Sequence, residues 1–194
     1  MRPGKKNFRW LISDLTLKLD RSAVSKKTRP KDKGKNKRVR IPAAGNLRSN
    51  SGLSMDLAAT TNSEEETFRL ARALARRFKG QEVVLLRGEL GAGKTIFAMG
   101  LASGLGMKNW ALVCSPSFTI MNIYEARFPI FHFDLYRLEK SADILDLGWE
   151  DYLDRGVVIV EWGERIPFLL EAIRVQIKKG KGDERSIEIS RPRP

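Results

Sequence analysis

The eight residues Gly88-Glu89-Leu90-Gly91-Ala92-Gly93-Lys94-Thr95 fit the pattern G-x-x-x-x-G-K-[ST] at every position. Ahead of them Val83 to Leu86 is a short, continuous apolar run, which suits a strand buried on both faces. Behind them Thr95 to Leu105 has the spacing of a helix. A loop leading from a buried strand into a helix is the context that a phosphate-binding loop requires, and it weighs against an ordinary glycine-rich turn. The glycines let backbone N–H groups line a nest for phosphate, and the helix adds its positive N-terminal end. Lys94 is expected to reach the β- and γ-phosphates, and the Thr95 hydroxyl to bind Mg²⁺. The expected nucleotide-binding set is therefore Glu89, Leu90, Gly91, Ala92, Gly93, Lys94, Thr95 and Ile96.

Such a loop needs an acid at the end of a neighbouring buried strand, and two positions qualify. Glu161 follows the apolar run Val157 to Val160, and Asp134 follows Ile130-Phe131-His132-Phe133. Period-2 geometry puts His132 and Asp134 on one face of a strand. Phosphoryl transfer is mostly positioning and electrostatics, so a structural role for His132 is preferred to that of a base. Cys114 reads as a small buried hydrophobe.

Outward from this centre, Ser63 and Glu66 stand in capping-box spacing before an amphipathic helix ending at Gly80. Phe118 to Tyr124 and Phe128 to Phe133 predict two strands joined near Ala126. Asp143 to Leu153 has helix-like spacing and many acids, read as a solvated face rather than a surface for a basic partner. Ala172 to Lys178 and Arg185 to Ser190 alternate about Gly180 to Asp183, predicting a hairpin.

The whole chain, 194 residues, carries 36 Lys+Arg against 23 Asp+Glu, a net +13. Of these, residues 1–54 hold 16 basic and 3 acidic, which leaves 20 of each for residues 55–194. The division predicts a basic, disordered extension over 1–54 and one P-loop domain over 55–194. Three accounts of the extension stay open: an arm that touches RNA, an organelle transit peptide, or sequence upstream of a true start at Met55. No run approaches a membrane span or a secretory signal, and one Cys with one His cannot frame a zinc site. A cytoplasmic setting is expected, with organelle targeting as the minor alternative.

Gly88 to Thr95, Ser115-Pro116-Ser117-Phe118-Thr119, His132 to Leu138, Leu147-Gly148 with Tyr152-Leu153, and Glu161-Trp162 occur in one order and spacing. Together they resemble the TsaE (YjeE) family, the small bacterial P-loop ATPases of tRNA N6-threonylcarbamoyladenosine synthesis, over roughly residues 60 to 190. The resemblance implies an α/β P-loop fold with a mostly parallel central sheet flanked by helices. It further implies ATP and Mg²⁺, weak hydrolysis alone, the partner proteins TsaB and TsaD, and tRNA reached through that complex. On it, Lys94, Asp134 and Glu161 form the catalytic set, with Thr95 and Glu161 on the metal side and Asp134 near the γ-phosphate and water. Ser115, Ser117 and Thr119 would sense the nucleotide, and Tyr136, Arg137 and Trp162 would lie at the switch or partner side. Ser117, Ile96 and Gly163 depart from the family's more common Thr, Thr and Pro. Two alternatives remain: a small phosphotransferase, and a nucleotide-switched tRNA-binding module using the basic arm.

Overall fold

The computed structural model describes residues 57–138, 143–144, 146–166 and 171–191; the basic extension lies outside them. The strands are β1 (Leu57–Thr61), β2 (Val83–Arg87), β3 (Met121–Tyr124), β4 (Ile130–Asp134), β5 (Val157–Glu161), β6 (Ile173–Lys179) and β7 (Arg185–Ser190). Helix α1 spans Glu64–Ala75 and α2 spans Lys94–Gly104. All seven strands join one sheet in the order β1-β7-β6-β2-β5-β4-β3. Its centre, β6-β2-β5-β4, is parallel, and β3, β7 and β1 add antiparallel edges.

The parallel centre explains the unbroken apolar runs, because both faces of β2, β4 and β5 are covered. Val84, Leu86, Ile130, Ile159 and Val175 pack under α1 and α2, with Phe97 and Leu101 at the middle. On the other face Val83, Leu85, Phe131, Phe133, Val158 and Val160 meet Leu135, Ile144 and Trp149. The two helices approach closely through small residues. A Cβ on Gly100 would collide with the Phe68 carbonyl oxygen and stand 2.7 Å from Ala71 Cβ, and Gly104 faces Arg72 and Ala75 in the same way.

Local chemistry sets the connections. Ser63 Oγ accepts from Glu66 N at 3.2 Å, while the Glu66 carboxylate reaches the amide of Asn62 at 2.8 Å, one residue before the expected partner. Between α1 and β2, the buried Glu82 carboxylate accepts from the amides of Lys79, Gly80 and Gln81 at 2.7, 2.9 and 3.1 Å. That satisfies three donors of one turn, of which the Gly80 amide is buried.

Three expectations are corrected. Helix α1 ends at Ala75, with Arg77 and Phe78 continuing in tight turns. The strand expected from Phe118 begins at Met121, because residues 117–119 form a turn and Ile120 takes a left-handed φ of 67°. Of the helix expected over Asp143 to Leu153, Asp143 and Ile144 are helical, and the later described residues give a short 3-10 helix, Trp149–Tyr152. Gly148, at φ 60°, interrupts any continuous helix there. The predicted hairpin is β6 with β7, and strand β1 is an addition that the sequence reading did not contain.

Candidate functional site

The sheet brings the phosphate loop and both acids to one end. Strand β2 delivers Gly88 at its C-terminal end, its neighbour β5 ends on Glu161, and β4 beyond β5 ends on Asp134, the register partner of Glu161. Their parity matches the face covered by α1 and α2, so Asp134, His132 and Glu161 look toward the start of α2. Ligands of open parallel sheets lie outside the C-terminal strand ends, where this cluster stands.

Thr95, in the first turn of α2, donates its hydroxyl to Glu161 at 3.0 and 3.2 Å to the two carboxylate oxygens. Glu161 Oε1 also lies 3.1 Å from His132 Nε2, and both side chains are buried. The histidine thus buttresses the acid from beneath. A hydroxyl beside a buried carboxylate is a hard, all-oxygen pair that fits Mg²⁺, which takes few protein ligands and fills the rest with phosphate and water. No cluster of three His, Cys, Asp or Glu able to hold a metal occurs among the described residues.

Lys94 Nζ donates to the carbonyls of Gly88 at 2.7 Å and Glu89 at 2.8 Å. It also lies 3.9 Å from the ring centre of Trp162. Burial pushes the ammonium below its ordinary 10.5; Glu161, Glu164 and Asp134 oppose this, and Lys179 adds to it. Trp162 holds a left-handed φ of 61°, a conformation that costs a non-glycine residue about 1–3 kcal/mol. The bend turns the chain sharply after Glu161 and sets the indole under Lys94, 5.0 Å from the Tyr136 ring. Gly163 follows closely against Leu85, where a Cβ would stand 2.6 Å from that residue's Cβ.

Asp134 is held at both oxygens. Oδ2 accepts from Ser115 Oγ and from Ser117 Oγ at 2.7 Å, while Oδ1 accepts from the Tyr136 amide at 2.8 Å. Ser115 and Ser117 therefore join the site through this acid. Thr119 does not; its hydroxyl donates to Asn122 at 3.1 Å on an exposed turn. Arg137 stacks over the exposed Phe118 ring at 4.2 Å, which links the segment 115–119 to the chain after β4. Cys114 is exposed, contrary to the expected buried role, because its segment runs outside β3 and is tied there by the Tyr124 hydroxyl.

Two further residues border the loop that the sequence reading did not name. Arg185 Nε donates to the Ala92 carbonyl at 3.0 Å, and Lys179 Nζ lies beside Gly91. Both come from the hairpin about ninety residues downstream, and no local motif marks them.

Comparison with known proteins agrees with this architecture. The family model for "Threonylcarbamoyl adenosine biosynthesis protein TsaE" matches residues 61–187. A tRNA threonylcarbamoyladenosine biosynthesis protein TsaE of Rickettsia conorii is 40% identical over 61% of this chain and 67% of its own length. The Bacillus subtilis protein of the same name is 40% identical over 66% of this chain and 80% of that one. The crystal structure of Bacillus subtilis YdiB aligns with a TM-score of 0.61 at 34% identity, covering 73% of this chain and 88% of that chain. With the family model spanning more than half of its length, this chain belongs to the TsaE family.

Proposed function

We propose that this chain binds ATP with Mg²⁺ in the loop Gly88 to Thr95 and hydrolyses it, slowly alone, in support of a TsaB and TsaD complex that makes threonylcarbamoyladenosine in tRNA. The observation that carries the reading is the convergence of Thr95, Glu161 and Asp134 on the mouth of a complete phosphate loop. The printed names of the relatives place them in that biosynthesis.

Each residue has a task that its surroundings suit. Thr95 and Glu161 would hold Mg²⁺, whose charge offsets that of the phosphate oxygens. Lys94 offers a partly desolvated ammonium, which is favoured again when it meets phosphate in place of the Gly88 and Glu89 carbonyls. Asp134, fixed by two hydroxyls and an amide, is the acid that orients the attacking water. The bond between Asp134 and the two serines gives the segment 115–117 a direct route to respond to the nucleotide. His132 keeps Glu161 in place and carries no proton in the reaction.

The test is nucleotide binding and turnover in two variants. Lys94→Ala is expected to lose productive ATP binding, and Glu161→Ala to lose the Mg²⁺ dependence, each lowering turnover by a hundredfold or more, roughly the scale of one lost charge contact at a reacting phosphate. Wild-type turnover in both would refute the site.

A further inference from the structure

Three contacts join the β6–β7 hairpin to the phosphate loop. A Cβ on Gly88 would collide with the Ile177 carbonyl oxygen, so the loop leaves β2 pressed against the backbone of β6. Arg185 Nε donates to the Ala92 carbonyl at 3.0 Å. Lys179 Nζ lies 3.1 Å from where a Cβ on Gly91 would stand. Lys179 and Arg185 are cross-strand partners on the last rung of the hairpin, and both reach the same loop.

Their chemistry differs. Arg185 is committed to carbonyls, with Nη1 also donating to Gly182 at 3.2 Å and Glu184 at 2.8 Å. It is a strut. Lys179 is exposed and, among the described residues, has no hydrogen bond or ion pair, whereas the adjacent Lys178 pairs with Glu188 at 3.7 Å. An unpaired ammonium thus stands over the fourth residue of a loop built to receive phosphate. It is also near enough to Lys94 to disfavour that residue's charged form. Two cations brought together repel, and an anion bound between them reverses the sign of the arrangement.

We propose that Lys179 is a second phosphate-contacting cation of this site, reaching the γ-phosphate from the hairpin side of the loop. The proposal rests on the ATP reading above and adds a residue from outside the motif. In hydrolysis a bond forms from water oxygen to the γ-phosphorus, and the bond to the bridging oxygen breaks with its electron pair left on ADP. The water proton passes to the phosphate product or solvent. Charge grows on the bridging oxygen, and a cation supplied in cis at that place is a known way to stabilise it.

The experiment compares the full chain with Lys179→Met and Lys179→Arg, measuring Mg²⁺-dependent affinity for ADP and for a non-hydrolysable ATP analogue, with single-turnover hydrolysis alongside. Lys179→Met is expected to weaken the triphosphate analogue about tenfold or more, leave ADP within about twofold, and slow the chemical step, while Lys179→Arg keeps most of both. Analogue affinity unchanged in Lys179→Met, or equal weakening of ADP and analogue, overturns the proposal. Wild-type chain that binds neither nucleotide removes the ATP reading and the proposal together, whereas wild-type binding with an indifferent Lys179→Met removes the proposal alone. Should Lys179→Met melt below wild type, Lys179→Gln replaces it and is read by the same criteria.

Discussion

At the residue scale, Lys94 shows how a binding group is kept ready at a cost to the folded chain. Burial lowers its pKa from 10.5, so the unfolded chain holds the proton more tightly than the folded one. Across the window from the lowered value up to 10.5, stability therefore rises with pH as the folded protein sheds its proton first. Lys94→Met removes this slope. Chemical denaturation of the two proteins at several alkaline pH values is expected to show wild type gaining on the variant as pH climbs through that window; parallel curves would contradict the assignment. Trp162 belongs to the same scale, since its strained backbone places an indole under the ammonium. Sequence spacing alone does not place Trp162, because spacing carries no information on a left-handed turn after a strand.

At the scale of elements, the fold depends on how closely α1 and α2 approach. Gly100 and Gly104 sit one helical turn apart and face Ala71 and Ala75, so the helices meet nearly backbone to backbone. In an exposed helix Gly→Ala gains about 1 kcal/mol. Here the added methyl collides with the Phe68 carbonyl, and overpacking of this kind costs about 1–3 kcal/mol. Gly100→Ala is accordingly expected to lower the denaturation midpoint, and a rise would show that the helices can separate freely. The loop, the buried strands β2 and β5, helix α2 and the hairpin were all legible, because each is written in consecutive residues: a motif, unbroken apolar runs or a clear alternation. Strand β1 was not, since a lone leucine followed by two alanines and two threonines at an edge, Leu57 to Thr61, carries little apolar signal. The start of β3 was misplaced by a positive φ at Ile120, and the expected acidic helix by one at Gly148, neither visible as a change in hydrophobic period.

At the scale of the whole molecule, the site is assembled from five separate stretches: the loop, the serines at 115 and 117, the ends of β4 and β5, and the hairpin. Motif reading located the acids and the loop, and only the family resemblance paired Thr95 with Glu161; neither gave a geometry for that pairing. Register supplies it, by setting Asp134 opposite Glu161 and leaving Glu161 with Thr95 and Asp134 with the serines. Lys179 and Arg185 were illegible for the same reason, being joined to the loop only through sheet order. The excess positive charge is unevenly placed along the chain, confined to residues 1–54. If it serves only to grip RNA, a chain beginning at Met55 keeps ATP turnover and loses the salt-dependent part of any tRNA affinity; unchanged affinity would make the extension irrelevant to RNA.

The claim on which the rest depends is that this phosphate loop works for a partner complex. Mg²⁺-dependent ATP hydrolysis by the chain, alone and with purified TsaB and TsaD, addresses it most directly. Slow turnover that rises sharply with both partners present, and that is lost in Lys94→Ala, is the predicted result. Turnover indifferent to the partners would contradict the account and point to an independent phosphotransferase acting on a hydroxyl acceptor.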